Sequence, residues 1–240
     1  MKTRTLRLVG SLAATAVFVL ASTAASAAGV RAAAPRPVAE ASRPLGPGTL
    51  LDQPPNEACA LISDAGEPQV LAENFVVSGE EVALVELRFS GAYLFDNVPP
   101  PGDAFEVLVH PDDAGLPGTT VVTGCAHSGV VPASRTLSGR TIGGFDLYDL
   151  VVPLPGSCRL APGATYWIEI YEGGTGGDRF GWECGDTDPG AGVPGSASSS
   201  SAPGSTWGPQ GNDHALVILG ALFADGFESG DTAAWSGTVP

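Results

Sequence analysis

The chain consists largely of short runs in which apolar and polar residues alternate, and a period of two is typical of half-buried β-strands. Outside the N-terminal segment, no window shows a sustained apolar stripe with the 3.6-residue period of a helix. The runs predict about eight strands: LAENFVV, VALVELRF, AFEVLVH, TTVVTG, DLYDLVVPL, TYWIEIY, RFGWEC and HALVILGAL. The sequence therefore predicts an all-β fold, an antiparallel β-sandwich of jelly-roll type.

The phase of the alternation also predicts which side chains face the core. In VALVELRF, the shared apolar face consists of Ala83, Val85, Leu87 and Phe89. In AFEVLVH, it consists of Phe105, Val107 and Val109.

Composition agrees with many short strands joined by tight turns. The 240 residues include 33 Gly and 21 Pro, while 43% of residues are hydrophobic. This combination excludes a collagen-like chain, a coiled coil and a wholly disordered polymer. The length suits one sizeable domain with tails.

The chain divides into four segments that differ in composition. Residues 1–28 read as a secretory signal peptide, with a basic start, an apolar run and the small-residue cleavage site Ala25-Ser26-Ala27. Residues 29–50 are rich in Ala and Pro and predict a disordered linker. Residues 51–222 form the predicted β-sandwich domain, and residues 223–240 form a C-terminal tail.

The net charge disfavours two classes of partner. Removing residues 1–28 would take away three of the 11 basic residues and none of the 26 acidic ones, so the formal charge would fall from −15 to −18. Such a surface would repel nucleic acid and anionic membranes. After signal removal, no membrane span is predicted, and the sequence leaves the oligomeric state open.

Cysteine usage points to an oxidising compartment. The four cysteines Cys59, Cys125, Cys158 and Cys184 are widely spaced and form no C-x-x-C motif, which favours two disulfides over a metal site. Three pairings are possible. We favour Cys125–Cys158, because each residue lies where a strand runs into a turn, and Cys59–Cys184 then follows by elimination.

Four elements in a fixed order resemble the choice-of-anchor domains, a class of secreted bacterial β-sandwich modules. The elements are an AENFVV strand, the segment FEVLVHPDDAGLPGTTV, the strand LAPGATYWIEIYE and the closing segment STWGPQGNDHALVILG. A D-x-G-x-P-G turn falls on Asp113, Gly115, Pro117 and Gly118, a Y-W pair on Tyr166 and Trp167, and the closing strand begins at Asp213.

The resemblance covers residues 51–222 and implies an exported module of β-sandwich fold with no established catalytic residues. The end of the chain departs from the apolar helix and basic residues that often close such proteins. It resembles instead the short D-G-F-E-S-G-D-T-x-A-W-S tails of various exported bacterial proteins. A sorting or processing role is one hypothesis for this tail, and a final strand or a frayed end is the alternative.

One strand offers a candidate carbohydrate platform. In TYWIEIY, alternation places Trp167, Glu169 and Tyr171 on the face opposite Ile168 and Ile170. Aromatic rings stack on the apolar faces of sugars, and a carboxylate accepts their hydroxyl hydrogen bonds. Trp182 on the next strand could extend the platform. The alternative is that these aromatic residues pack under a neighbouring loop, such as the loop that carries Trp207.

Two further kinds of chemistry have candidate residues in this sequence. Asp112 and Asp113 lie in an oxygen-rich loop that could hold calcium, although turn formation also explains them. No other cofactor is indicated. A hydrolase would need a histidine beside a nucleophile, and His127 with Ser128 is the nearest approach to such a pair, but no G-x-S-x-G motif is present.

The sequence thus predicts a non-catalytic secreted or cell-surface module with a structural or adhesive role. Its expected partners are extracellular polysaccharide or cell-surface components. A carbohydrate-binding module that uses the aromatic platform is the first alternative, and a small secreted hydrolase is the second.

Overall fold

A computed structural model describes residues 48–67, 69–173, 179–188 and 194–221, and these ranges form two antiparallel β-sheets. The nine-stranded sheet contains β1 (Thr49–Gln53), β2 (Pro55–Ile62), β4 (Val82–Tyr93), β8 (Ser134–Ile142), β9 (Phe145–Pro153), β10 (Arg159–Leu160), β12 (Phe180–Gly185), β15 (Asp213–His214) and β16 (Leu216–Ala221). The seven-stranded sheet contains β3 (Val70–Val76), β5 (Phe105–Asp113), β6 (Leu116–Pro117), β7 (Ala126–Val130), β11 (Thr165–Glu172), β13 (Ala197–Ser199) and β14 (Trp207–Pro209).

Strand β4 organises the larger sheet. It pairs with β16 and then β12 along one edge, and with β10 and then β9 along the other. In the smaller sheet, β11 lies between β3 and β5, where Ile168 is opposite Glu73 on one side and Val109 on the other. All of the strand pairs within these two sheets are antiparallel, so the predicted all-β antiparallel sandwich is confirmed.

The core lies between the two sheets and is built around aromatic rings that meet edge to face. Phe89 and Phe105 meet edge to face with ring centroids 5.1 Å apart, and Phe105 meets Phe180 at 5.0 Å. Trp182 and Tyr93 extend this cluster. Phe89 belongs to the larger sheet and Phe105 to the smaller one, so the contact between them joins the sheets, as edge-to-face aromatic pairs commonly do.

The predicted core face is right in β5 and only partly right in β4. Phe105, Val107 and Val109 all lie in the core. In β4, Leu87 and Phe89 are in the core, but Val82 and Leu84 replace Ala83 and Val85. The register against β16 shifts between Leu84 and Glu86, so Val85 is the extra residue of a β-bulge, which reverses the alternation.

The prediction of about eight strands is wrong, because the described residues contain sixteen. Seven of the predicted runs are found, and most of the strands that were missed are very short or lie at the edges of the sheets. The run TTVVTG is not a strand. There, the Cys125 backbone N–H donates to the Val122 carbonyl at 2.9 Å, and Gly124 has φ of +80°, so the segment turns instead of extending.

The domain boundary also needs a small correction. β1 begins at Thr49, so the last residues of the predicted linker 29–50 belong to the sandwich. The signal peptide, the rest of the linker and the tail 223–240 lie outside the described residues. No helix long and apolar enough to cross a membrane occurs within the described part of the chain.

Both favoured disulfides are present. Cys125–Cys158 joins residues whose Cα atoms are 4.4 Å apart, and Cys59–Cys184 joins residues whose Cα atoms are 5.2 Å apart. Cys125 and Cys158 are buried within the core cluster. Cross-links of this kind stabilise a fold chiefly by restricting the unfolded chain.

Gly91 of β4 supplies a sharp test of this packing. A Cβ atom at Gly91 would overlap the ring of Phe180, which is fully buried and cannot move aside. We expect Gly91→Ala to lower the free energy of unfolding by about 3 kcal/mol or more, the upper range for overpacking a core. The measurement is the midpoint of chemical denaturation. Gly208→Ala is the matched control, because a Cβ there meets nothing within 4 Å. Equal effects of the two variants would contradict the packing described for Phe180.

Candidate functional site

The outer face of the seven-stranded sheet carries the residues of the predicted platform. Ile168 and Ile170 of β11 point into the core, and Trp167, Glu169 and Tyr171 lie on the opposite face. The alternation in TYWIEIY is therefore as predicted.

The expectation that this face is open to solvent is wrong. Trp167, Glu169 and Tyr171 are only 4%, 0% and 6% exposed. The segment that contains β13 and β14 folds back over Trp167 and Glu169, and β13 adds to the sheet beside β3. Trp207 packs with Trp167 in a second small apolar cluster, which is the alternative that the sequence left open. We call residues 194–210 the cover segment.

A buried acid–base pair holds the cover segment in place. His110 Nε2 lies 2.9 Å from Glu169 Oε2, and both side chains are at most 2% exposed. The other carboxylate oxygen, Oε1, accepts a 2.7 Å hydrogen bond from the backbone N–H of Gly204 in the cover segment. The Trp207 ring lies edge-on to His110 with centroids 5.9 Å apart.

The hydrogen-bond partners fix the protons of this pair. His110 Nδ1 lies 2.9 Å from the carbonyl oxygen of Gly118, which can only accept, so Nδ1 carries a proton. A second proton lies between Nε2 and the Glu169 carboxylate. Both ring nitrogens of His110 therefore take part in hydrogen bonds within the structure.

Burial, together with the Glu169 and Glu106 carboxylates, raises the pKa of the nearby Tyr171 to about 12.

Trp182 does not extend a surface platform. It is fully buried in the core and donates from Nε1 to the carbonyl oxygen of Ala215 at 3.0 Å. Its ring stacks on His214 with centroids 4.7 Å apart. The reason is the phase of β12, which directs Trp182 inward and the neighbouring Glu183 outward.

Glu183 anchors a polar network on the outer face of the nine-stranded sheet. Arg140 donates from one terminal nitrogen to both Glu183 oxygens, at 2.7 and 2.8 Å, and from the other to Asp149 at 2.7 Å and Ser90 at 3.1 Å. Burial raises the pKa of Glu183, and the Arg140 guanidinium opposes that rise. The network lies beside a groove of 440 Å³, also lined by Arg88 and Pro54.

A smaller pocket lies on the other sheet, at the edge of the cover segment. It has a volume of 260 Å³, and we call it the Trp167 pocket. Its lining includes Asn74, Asp112, Thr165, Trp167, Ser196 and Gln210. Trp167 and Asp112 were proposed separately from the sequence, and here Trp167 Nε1 donates to Asp112 Oδ1 at 2.8 Å.

This geometry does not support a calcium site at Asp112 and Asp113. The oxygens of Asp112 accept hydrogen bonds from Trp167 and, at 3.2 Å, from the backbone N–H of Gly115. Asp112 therefore shapes the turn between β5 and β6, as turn-forming aspartates do. Among the described residues, no group of three or more His, Cys, Asp or Glu is arranged to hold a metal ion.

The histidine–serine pair is also separated. His127 and Ser128 are neighbours on β7, so their side chains point to opposite faces. His127 is buried, whereas the Ser128 hydroxyl donates to Glu106 at 2.8 Å. Burial also lowers the pKa of His127.

Sequence reasoning missed most of the Trp167 pocket. No motif or hydrophobic pattern in the sequence marks the positions of Asn74, Ser196 and Gln210. Only Trp167 and Asp112 carried a signal, and nothing in the local pattern indicated that they would touch. Comparison of the chain with known protein families, curated proteins and solved structures finds no match.

The acid–base pair predicts how firmly the cover segment is held. We expect Glu169→Ala to lower the free energy of unfolding by about 3–5 kcal/mol, because it leaves the buried His110 Nε2 and the backbone N–H of Gly204 without partners. Glu169→Gln should cost less, since an amide can donate to His110 and accept from Gly204. The exposed pair Glu86–Arg88 provides the control, with about 0–1 kcal/mol expected for Glu86→Ala. Denaturant titration measures all three variants, and a Glu169→Ala effect as small as that of Glu86→Ala would contradict this role.

His214 predicts a pH dependence. Burial lowers its pKa to about 4, so between pH 6.5 and 4 only the unfolded chain takes up its proton. Its contribution to stability is complete above about pH 6.5 and falls by about 3 kcal/mol as the pH drops towards 4. The raised pKa of buried Glu73 acts in the opposite direction, so the comparison must be made between variants.

His214→Phe isolates this effect. The ring can still stack on Trp182, and the backbone N–H of residue 214 can still donate to Glu73 Oε2, a bond of 2.8 Å in the native chain. We expect the variant to lose less stability than the native chain between pH 6.5 and 4, as measured by denaturant titration at each pH. Parallel pH curves for the two proteins would show that His214 is not the group responsible.

Proposed function

We propose that this protein is an exported, non-catalytic β-sandwich module with a structural or adhesive role outside the cell. The observation that carries the proposal is that histidine, carboxylate and arginine side chains are used in hydrogen bonds and ion pairs that stabilise the fold. His110 and Glu169 fasten the cover segment, and Arg140 and Glu183 tie strands of the larger sheet together. These contacts stabilise the module and suit a structural role.

Export is supported by two independent features. The first is the N-terminal segment 1–28, which has the order of basic, apolar and small residues that a signal peptide requires. The second is the pair of disulfides, which is compatible with an extracellular location because such bonds persist in oxidising compartments.

A non-catalytic role is supported by the histidines. His110, His127 and His214 are at most 8% exposed, and they are the only three in the chain. A general base must reach the proton that it abstracts from a bound substrate. Buried imidazoles that face a carboxylate, the sheet interior or an indole ring are poorly placed for that task.

The resemblance to choice-of-anchor domains agrees with this proposal. Trp167 of its Tyr166–Trp167 pair donates a hydrogen bond to Asp112, the residue before its D-x-G-x-P-G turn, while Tyr166 packs in the core. These two motif residues therefore have structural contacts in this chain. Extracellular polysaccharide or cell-surface components are the proposed partners.

The test compares two forms of the chain in a bacterial host. The full chain should leave the cytoplasm and contain no free thiol, whereas a chain without residues 2–28 should stay inside with its four cysteines reduced. Cell fractionation and thiol titration provide the readouts.

Function is then scored on the same cells. Cells that export the chain should attach more firmly to a surface, or resist detergent better, than cells that retain it. The proposal fails if the two cell types behave alike. It also fails if the purified protein hydrolyses a substrate and His110→Gln or His127→Gln abolishes that activity.

A further inference from the structure

We propose that the Trp167 pocket binds one neutral sugar residue, and so gives the module a ligand site that its structural role does not require. The site differs from the platform suggested by the sequence. Of the platform residues, Trp167 alone lines the pocket; Thr165 comes from the same strand, and the other lining residues come from β3, from the end of β5 and its turn, and from the cover segment. The inference goes beyond the proposed function, since a purely structural module could lack any ligand.

The first observation is an unpartnered hydroxyl. Ser196 lines the pocket and is 2% exposed, yet its Oγ has no hydrogen-bond partner among the described residues. Leaving a buried polar group unpaired destabilises a fold by about 1–3 kcal/mol. A ligand that supplies the missing hydrogen bond would remove this penalty.

The second observation is that the polar lining is already held in position. Asn74 Nδ2 donates to the Gly195 carbonyl at 2.7 Å, the Gln210 backbone N–H donates to the Ser196 carbonyl at 2.7 Å, and Gln210 Nε2 donates to Ser198 Oγ at 2.9 Å. These bonds orient the amide of Gln210 and the backbone around Ser196. Groups fixed before binding lose little entropy when a ligand arrives.

The third observation is the kind of ligand that this lining selects. The pocket contains one carboxylate, from Asp112, and no Lys, Arg or His, so it disfavours anions. Hydroxyl groups can both donate to carboxylate and amide oxygens and accept from Ser196 and Thr165. Apolar surface from Trp167, Pro194 and Pro209 completes the wall, and a sugar ring combines apolar C–H faces with a hydroxyl rim.

The size of the Trp167 pocket indicates whether its ligand is a length of polysaccharide or a single sugar residue. The volume of 260 Å³ is slightly below the range of about 300–1,000 Å³ that is usual for small-molecule sites. The pocket therefore suits one sugar ring, such as the terminal residue of a polysaccharide, better than a length of chain.

The experiment titrates the full chain with methyl glycosides of neutral hexoses, pentoses and N-acetylhexosamines, observed by ¹⁵N-NMR. The Trp167 indole N–H, assigned with Trp167→Phe, reports on the pocket because it is bonded to Asp112. The Trp182 indole N–H is the internal reference, since it is bonded to Ala215 within the core. We expect at least one glycoside to shift the Trp167 signal saturably and leave the Trp182 signal in place.

Matched variants locate the site. Ser196→Ala and Thr165→Val should each weaken the binding about tenfold, the loss expected for one hydrogen bond. Thr136→Val, on exposed β8 of the other sheet, is the control and should leave binding unchanged. Ser196→Ala should also leave thermal stability equal or higher, because it removes an unpartnered hydroxyl.

Three outcomes would overturn the inference. The first is that no glycoside shifts the Trp167 signal. The second is that only methylammonium or N-methylacetamide does so, which would indicate an amine or a peptide as the ligand. The third is binding that survives both Ser196→Ala and Thr165→Val unchanged. None of these results would affect the proposed structural role, which the export and attachment experiments test separately.

Discussion

The hydrogen-bonded contact between Glu169 and His110 is the constraint on which the position of the cover segment over the smaller sheet depends. A carboxylate and an imidazole are buried on a sheet face, where each is tolerated only because the other, together with backbone groups, satisfies it. The Glu169 carboxylate also accepts a hydrogen bond from Gly204, which fixes this part of the cover segment over the outer face of the smaller sheet. The Trp167 pocket lies at the edge of the cover segment.

Local patterns predicted the parts of the fold that depend on local sequence. Alternation identified the core faces of β5 and β11, because neither strand contains a bulge there. It was only partly right in β4, where the extra residue Val85 reverses the phase, and no composition rule marks such a residue. The disulfide pairing could be inferred because two of the cysteines adjoin turns.

The candidate site could not be predicted in the same way, because it depends on what covers a strand. Trp167 lies on the face that the sequence assigned to it, but exposure is decided by the cover segment, which is rich in Gly, Pro and Ser and contributes strands of only three residues. Ser196 and Gln210 enter the site through backbone hydrogen bonds within that segment. Their spatial relation to Asn74 and Asp112 is a property of the tertiary structure alone.

The pairing of β1 with β16 has a mechanical consequence. Thr49, at the start of the first strand, is paired with Leu219, close to the end of the last, and the two strands are antiparallel. A tension applied between the flanking parts of the polypeptide would open this ladder one rung at a time, starting at Thr49. Yielding would thus begin with a peeling strand, while the disulfide between Cys125, next to β7, and Cys158, next to β10, still joined the two sheets.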